Sequence, residues 1–196
     1  MSEKKFTKPR GRHFKTVDRI NLSENVLKVN LRKGSKTNFN FNEIEEFVQA
    51  VSGGREYQVE AIKNVMAYLW SGGYKNITEL AKENFASNEH LQERFGNEEL
   101  MLGHLPLSDR LSGVVHMATG TGKSYVIYAV AYLSLVMGLT KRVLVLGPSS
   151  TIIEEGLRDK FNDFMHRDEW NNKLPKEYQG KAIELFKNND VIGDDS

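Results

Sequence analysis

Hydrophobic and polar positions follow different rhythms in successive parts of this chain. In NVLKVNLRKG, residues 25–34, Leu27, Val29 and Leu31 alternate with polar residues and Gly34 closes the run. That period of two predicts a half-buried strand. NEIEEFVQAVSGG, residues 42–54, predicts a helix with Asn42 as N-cap, Glu45 at the third helical position and Gly53-Gly54 as its stop. From Arg55 the apolar positions Ala61, Ile62, Val65, Met66 and Leu69 recur at helical spacing, and Gly72-Gly73 ends the pattern. Residues 74–110 are polar and helix-prone, with Leu80, Phe85, Leu91 and Phe95 set among many charges. SGVVHM, residues 112–117, predicts a short buried strand. KSYVIYAVAYLSLVMG, residues 123–138, is apolar nearly all round, which predicts a helix covered on most sides. RVLVLGP, residues 142–148, is a continuous apolar run of the kind found in a parallel sheet covered on both faces. STIIEEGLRDKFNDFM, residues 150–165, predicts a further helix. Strand, helix, strand, helix in succession implies right-handed crossovers and an α/β fold.

Between the strand predicted at 112–117 and the buried helix lies MATGTGKS, residues 117–124. Gly120 and Gly122 allow a tight backbone turn and close approach to an anion, because no Cβ intervenes. Successive amides of such a turn, with the N-terminus of the next helix, point donors at a phosphate. Lys123 would place its charge on the β- and γ-phosphate oxygens, and the Ser124 hydroxyl would ligand Mg²⁺. The strict pattern has a small residue five positions before Gly122, where this chain has Met117. Thr119, Gly120, Thr121, Gly122, Lys123 and Ser124 are intact. The bland alternative, a glycine turn with a surface lysine, gives no reason for the flanking strand and helix patterns.

The loop resembles motif I of superfamily 2 helicases and translocases. The branch it most resembles holds the motor subunits of type I and type III restriction enzymes and their DEAD/DEAH-like relatives. REYQVEAI resembles the motif that precedes it, with Arg55, Tyr57 and Gln58 matched, and VLVLGPSSTIIEEGLRDKF resembles motif Ia. The similarity spans residues 55–166. It implies a P-loop, RecA-like parallel sheet flanked by helices, with ATP and Mg²⁺ as cofactors and Lys123 as the catalytic cation. It also implies that Gln58 reads the adenine edge, which its amide matches with one donor and one acceptor, and that Tyr57 or Arg55 flanks the base. Some sixty residues separate Gln58 from the loop, and an exposed helix glutamine is the other reading. Pro148, Ser149, Ser150 and Thr151 match the part of motif Ia that touches a DNA strand's backbone, where hydroxyls and helix-terminal amides suit phosphate. Ser150 or Thr151 as a plain N-cap, with Glu154 in the first turn, explains the same residues.

Three units follow: a flexible basic tail (1–17), a strand–helix extension (18–54), and part of a first RecA-like ATPase domain (55–196) with a helical insertion at about 74–110. The tail reads as solvated, or as a weak phosphate-backbone contact. A formal net charge of +1 argues neither for nor against nucleic acid, and 39% hydrophobic residues suffice for a core. With no cysteine, disulfides and thiolate metal sites are excluded. The basic start has no apolar signal region, and no apolar run is long enough to span a bilayer. A cytoplasmic location without membrane attachment is expected. DNA is the expected partner, with other restriction–modification subunits beside it. The five histidines show no ligand spacing, and His116 is expected to pack at a strand end. The sole acid-x-Lys sequence, Glu3-Lys4-Lys5, lies in the tail without an upstream acid and does not suggest a nuclease. A hydrophobic strand ending in a carboxylate should follow Thr151. NNDVIGDDS, with Asp190, Asp194 and Asp195, matches this poorly. The chain therefore reads as the first part of a motor that hydrolyses ATP to move on DNA, incomplete at its C-terminus and inactive alone. A truncated nucleotide-binding or interaction fragment without turnover, or a P-loop kinase, are the alternatives.

Overall fold

The computed structural model describes residues 26–34, 39–147 and 156–186. Eight α-helices account for its regular structure: α1 (Phe41–Ser52), α2 (Glu56–Trp70), α3 (Ile77–Ser87), α4 (Glu89–Phe95), α5 (Glu98–Gly103), α6 (Lys123–Val136), α7 (Asp159–Met165) and α8 (Asp168–Asn171). The cap of the first helix lies two residues before the expected one. Asn40 is the N-cap, and its side chain accepts from the Asn42 N–H at 3.2 Å. Gly53, at φ 57°, closes α1 in the left-handed region, where a side chain would be strained.

The main core is helix on helix. α1, α2 and α6 pack against one another, and α8 packs on α1. Ile44, Phe47 and Val48 from α1, Ile62 and Met66 from α2, and Tyr128, Ala129 and Leu133 from α6 are fully or almost fully buried. The helix that is apolar nearly all round finds its cover in aromatic rings. Tyr128 stacks on Tyr132 at 5.3 Å and meets Phe161 and Phe164 edge-on. Phe47 stacks on Tyr132 from the other side at 5.6 Å. Truncating one such buried ring costs on the order of 3–5 kcal/mol. Ser134, a polar interruption in the apolar run, is buried but satisfied: its hydroxyl donates to the Val130 carbonyl at 2.7 Å and accepts from the Trp70 indole at 2.9 Å. The Lys181 ammonium donates to the Val136 carbonyl at the end of α6, where a cation also suits the helix dipole.

A second unit forms from the predicted insertion. Helices α3, α4 and α5 pack on each other and start at Asn76, Asn88 and Asn97, each of which caps the following helix with its side chain. Onto this unit lies the extended arm 26–34. Leu27 and Val29 pack against two small apolar clusters built around Leu80 and around Leu91 and Met101. Asn84, almost fully buried, grips the arm: its Oδ1 accepts from the Lys28 N–H at 2.7 Å and its Nδ2 donates to the Lys28 carbonyl at 3.0 Å. Farther along, the Lys33 ammonium pairs with Glu83 at 2.6 Å, and Tyr74 donates to the same carboxylate while accepting from the Asn30 N–H.

These observations overturn the expected α/β fold. Among the described residues there is no strand and no parallel sheet, so the RecA-like sheet architecture is not present. Among the described residues the only bridge is an isolated antiparallel one, Gly34 to Gly72. The predicted strands fail for two reasons. The arm keeps its alternation at Leu27 and Val29, but its partners are a helix and side-chain amides, and Leu31 is exposed. The 112–117 and 142–147 runs form no regular structure and make no backbone ladder with one another among the described residues. Val114 is 92% exposed, and Leu144 and Leu146 are 81% and 79% exposed. Their apolar composition predicts buried strands, with 142–148 covered on both faces, and the helices bury themselves on one another instead. The helix expected at 150–165 is described only from residue 156, through a π-type turn into α7.

Among the arm's contacts, the Asn84 amide and the Lys33–Glu83 ion pair are each open to a separate test. Asn84→Ala leaves the Lys28 peptide unpaired and should destabilise the arm by about 1–3 kcal/mol. Faster hydrogen exchange at the Lys28 amide, with α1 and α6 unchanged, is the expected readout. The Lys33 pairing holds the Glu83 carboxyl below the usual carboxylate range, and the Glu83 hydrogen bond holds the Lys33 ammonium above its own. A lowered acid contributes above its unfolded pKa and is lost as pH falls through its folded one; a raised base is lost as pH rises through its folded value. Exchange at Lys28 should therefore quicken, relative to the intrinsic rate, in acid below the carboxylate range and again above the ordinary lysine range, with a protected plateau between.

Candidate functional site

The glycine turn sits at the N-terminus of α6, and its shape follows from its residues. Gly120 (φ 82°) and Gly122 (φ 77°) both occupy the left-handed region. At Gly120 a Cβ would stand in open space, whereas at Gly122 it would lie 2.6 Å from the Gln58 Nε2 and 3.0 Å from the Tyr125 ring. The turn is thus open on its outer side and closed on its inner one. Three donors converge on a single oxygen, the Ala118 carbonyl: the Thr121 hydroxyl at 2.6 Å, the Lys123 ammonium at 3.0 Å and the Thr121 N–H at 3.4 Å. The N–H groups of Gly122, Lys123 and Ser124 have no backbone acceptor among the described residues. The first turn of α6 carries no side-chain cap and no acid. Free amides and an uncompensated helix dipole make this end of α6 electropositive.

Two residues of the upstream segment reach this turn. The Gln58 Nε2 donates to the Thr121 carbonyl at 2.6 Å, and the Tyr57 hydroxyl donates to the same oxygen at 3.3 Å. Gln58 is 1% exposed, and its Oε1 has no protein partner among the described residues. The exposed-glutamine reading therefore fails. Gln58 instead braces the turn from behind, with α2 packed on α6. Tyr57 keeps 47% of its surface exposed. Arg55 is turned away: it is the N-cap position of α2, and its guanidinium donates to the Ser52 carbonyl at the end of α1. Lys123 and Thr119 are exposed and Ser124 is half-buried. Pro148, Ser149, Ser150 and Thr151 lie outside the described residues, as do Asp190, Asp194 and Asp195.

An open cleft of about 370 Å³ adjoins the turn. One wall is a face of α2 that carries Tyr57, Glu60 and Asn64, and the other is the chain leading into the turn, at His116, Ala118 and Thr121. His116 is thus exposed on a cleft wall and not packed at a strand end. Neither Glu60 nor Asn64 was singled out from sequence, although positions 57, 60, 61 and 64 share one helix face by their spacing. That spacing becomes informative only once the turn is known to lie against it.

The family model for the type III restriction enzyme res subunit matches residues 52–192. The chain belongs to this family. It is a DEAD/DEAH-like, helicase-type family of ATP-binding motors that act on DNA. The match takes in the braced turn, α2 and the insertion, and leaves the arm and most of α1 outside it. No curated protein and no solved structure matches the chain. No helix among the described residues is long and apolar enough to cross a membrane, and no described cluster of His, Asp or Glu could hold a metal ion.

The brace gives a direct test of the loop geometry. Gly122→Ala adds a methyl group against Gln58 Nε2 and forces a left-handed alanine, and should cost about 1–3 kcal/mol in stability. Gln58→Ala in the same chain removes the clash but not the backbone strain. Urea unfolding of the two single variants and the double variant should therefore show a favourable coupling, the double variant being less damaged than the sum of the singles.

Proposed function

We propose that the turn at residues 118–124 binds the triphosphate of ATP with Mg²⁺, and that this chain is the nucleotide-binding part of a motor that hydrolyses ATP to move along DNA. The observation that carries this is the convergence at the turn. Lys123 and Thr121 aim their donors at one carbonyl, beside three free amides and an uncapped helix N-terminus. A phosphate oxygen accepts hydrogen bonds as a carbonyl does and carries charge in addition, so it can take Lys123 from Ala118. The amides of Gly122, Lys123 and Ser124 would hold the β-phosphate, and Lys123 the β- and γ-oxygens. The Ser124 hydroxyl makes no hydrogen bond to any described residue and would ligand the cation. Bound Mg²⁺ would neutralise charge on the phosphates. Left-handed Gly120, with nothing within 4 Å of where its Cβ would stand, leaves room for that approach.

Gln58 and Tyr57 serve this reading by fixing the Thr121 peptide, so that the following amides point outward together. For DNA, the reading extends to backbone contact by Pro148, Ser149, Ser150 and Thr151, and to other restriction–modification subunits as partners. Both draw support from the family.

Lys123→Ala should lower affinity for ATP·Mg²⁺ by roughly 10- to 100-fold, the range for a hydrogen bond to a charged group. The fold should be unchanged, because the side chain is exposed. Isothermal titration of the intact chain and the variant measures this, with circular dichroism as control. Equal affinities would sink the assignment of the turn. A phosphate-release assay with and without DNA, run beside it, should show any turnover abolished by the same substitution.

A further inference from the structure

We infer that the surface holding the arm, built by Ser71, Tyr74 and α3, is a site for linear peptides, and that the arm is its built-in occupant, displaced by a partner protein's segment of the same chemistry. Much of what the site reads is main chain. Asn84 takes the N–H and the carbonyl of Lys28, the Tyr74 hydroxyl accepts from the Asn30 N–H, and the Ser71 hydroxyl donates to the Lys33 carbonyl at 3.1 Å. Main-chain groups are the same in every peptide, so these bonds hold a segment without demanding this arm's sequence.

Side chains add the specificity. Leu27 and Val29 are half-buried on the cluster around Leu80. Asn30 starts a turn: its carbonyl accepts from the Lys33 N–H at 3.0 Å, and its side chain accepts from the Arg32 N–H at 3.1 Å. That turn delivers the Lys33 ammonium to the Glu83 carboxylate at 2.6 Å and over the Tyr74 ring at 4.5 Å. An anion and an aromatic face together suit a cation. Gly34 follows at φ 152°, where a Cβ would stand 2.6 Å from the Ser71 carbonyl oxygen. The side chains of Val26, Lys28, Leu31 and Arg32 are exposed. The recognised pattern is therefore leucine, any residue, valine, asparagine, any two residues, lysine, glycine. The arm is also held as a ligand is held. None of its residues is fully buried. The two clusters beneath it draw every buried residue from the stretch 68–101, and the arm adds nothing to the main core. It can leave without taking a core residue with it. Tethered close to α1, it occupies the site at an effective concentration on the order of millimolar. The docked arm thus sets a threshold that a partner's segment must exceed.

The test uses the intact chain and, as probe, a fluorescein-labelled synthetic peptide of residues 25–34. Lys28→Pro in the chain removes the N–H that Asn84 holds and weakens the arm in its place. It should raise affinity for the peptide by roughly 10- to 100-fold over the unmodified chain, read by fluorescence anisotropy. Adding Asn84→Ala to Lys28→Pro should abolish that binding. A peptide with alanine at positions 25, 26, 28, 31 and 32 should bind as tightly as the parent, and one with alanine at 27, 29 and 33 should not bind. A second readout needs no substitution in the chain. Excess peptide should displace the arm of the unmodified chain and quicken hydrogen exchange at the chain's own Lys28 amide, with α1 and α6 unchanged. No binding by Lys28→Pro together with no quickening in the unmodified chain overturns the inference. Binding that survives Asn84→Ala overturns the placement of the site. Loss of binding by the peptide with alanine at the five unread positions overturns the partner, because the site would then read this arm alone. Concentration-dependent dimers of the unmodified chain that excess peptide dissolves overturn the partner in favour of a second copy's arm.

Discussion

A single buried amide holds the glycine turn of this molecule in shape. Gln58 lies on α2 and Thr121 in the turn before α6, far apart in sequence, and the hydrogen bond between them is short and shielded from water. Shielding matters, because a bond that water cannot compete for is hard to leave unmade. The position of Gln58 requires a glycine at 122, and the glycine permits the left-handed turn that the chain makes there. That turn, in its place, leaves the amides of residues 122–124 free at the start of α6. Each step follows from the one before it.

The helical core keeps the two ends of that bond in register. α2 and α6 pack directly, and α1 and the aromatic rings of α7 and α8 close around them. Trp70 and Ser134 tie the far ends of α2 and α6 as Gln58 and Thr121 tie the near ends. Two polar links at opposite ends of one apolar seam prevent sliding, which apolar packing alone resists weakly. The Arg167 guanidinium lies over the Trp170 ring at 4.5 Å and seals the aromatic cluster from solvent.

Much of this was legible in the sequence, and what was not has identifiable causes. The helices of residues 41–70 and 123–136 follow from their apolar spacing and glycine stops, because a helix satisfies its backbone within itself and needs no knowledge of its neighbours. The loop residues were legible for the same reason: two glycines, a lysine and a serine at fixed spacing define a local shape. Strands are not local. Val114, Val115, Leu144 and Leu146 have the composition of buried strand residues, but a strand exists only when another strand lies beside it. The 74–110 region was seen as helix-prone but not as three helices, although Asn76, Asn88 and Asn97 recur as caps at its breaks. Asn84 was invisible. An asparagine within a helical pattern reads as a mild defect, and its worth appears only when a distant peptide unit is laid against it.

That asparagine has a consequence for the arm. A side-chain amide that takes both the N–H and the C=O of one residue imitates a neighbouring strand for one peptide unit and no more. An ordinary strand pair can slip by two residues and recover most of its bonds, since every second peptide offers the same face. Here a slip recovers nothing, because there is a single clamp at Lys28 and a second fixed point where Gly34 meets Gly72. At that second point a Cβ on Gly34 would collide with Ser71. The arm thus has one alignment, like a key cut for two pins. Its length between those points is fixed by geometry even where its side chains face water.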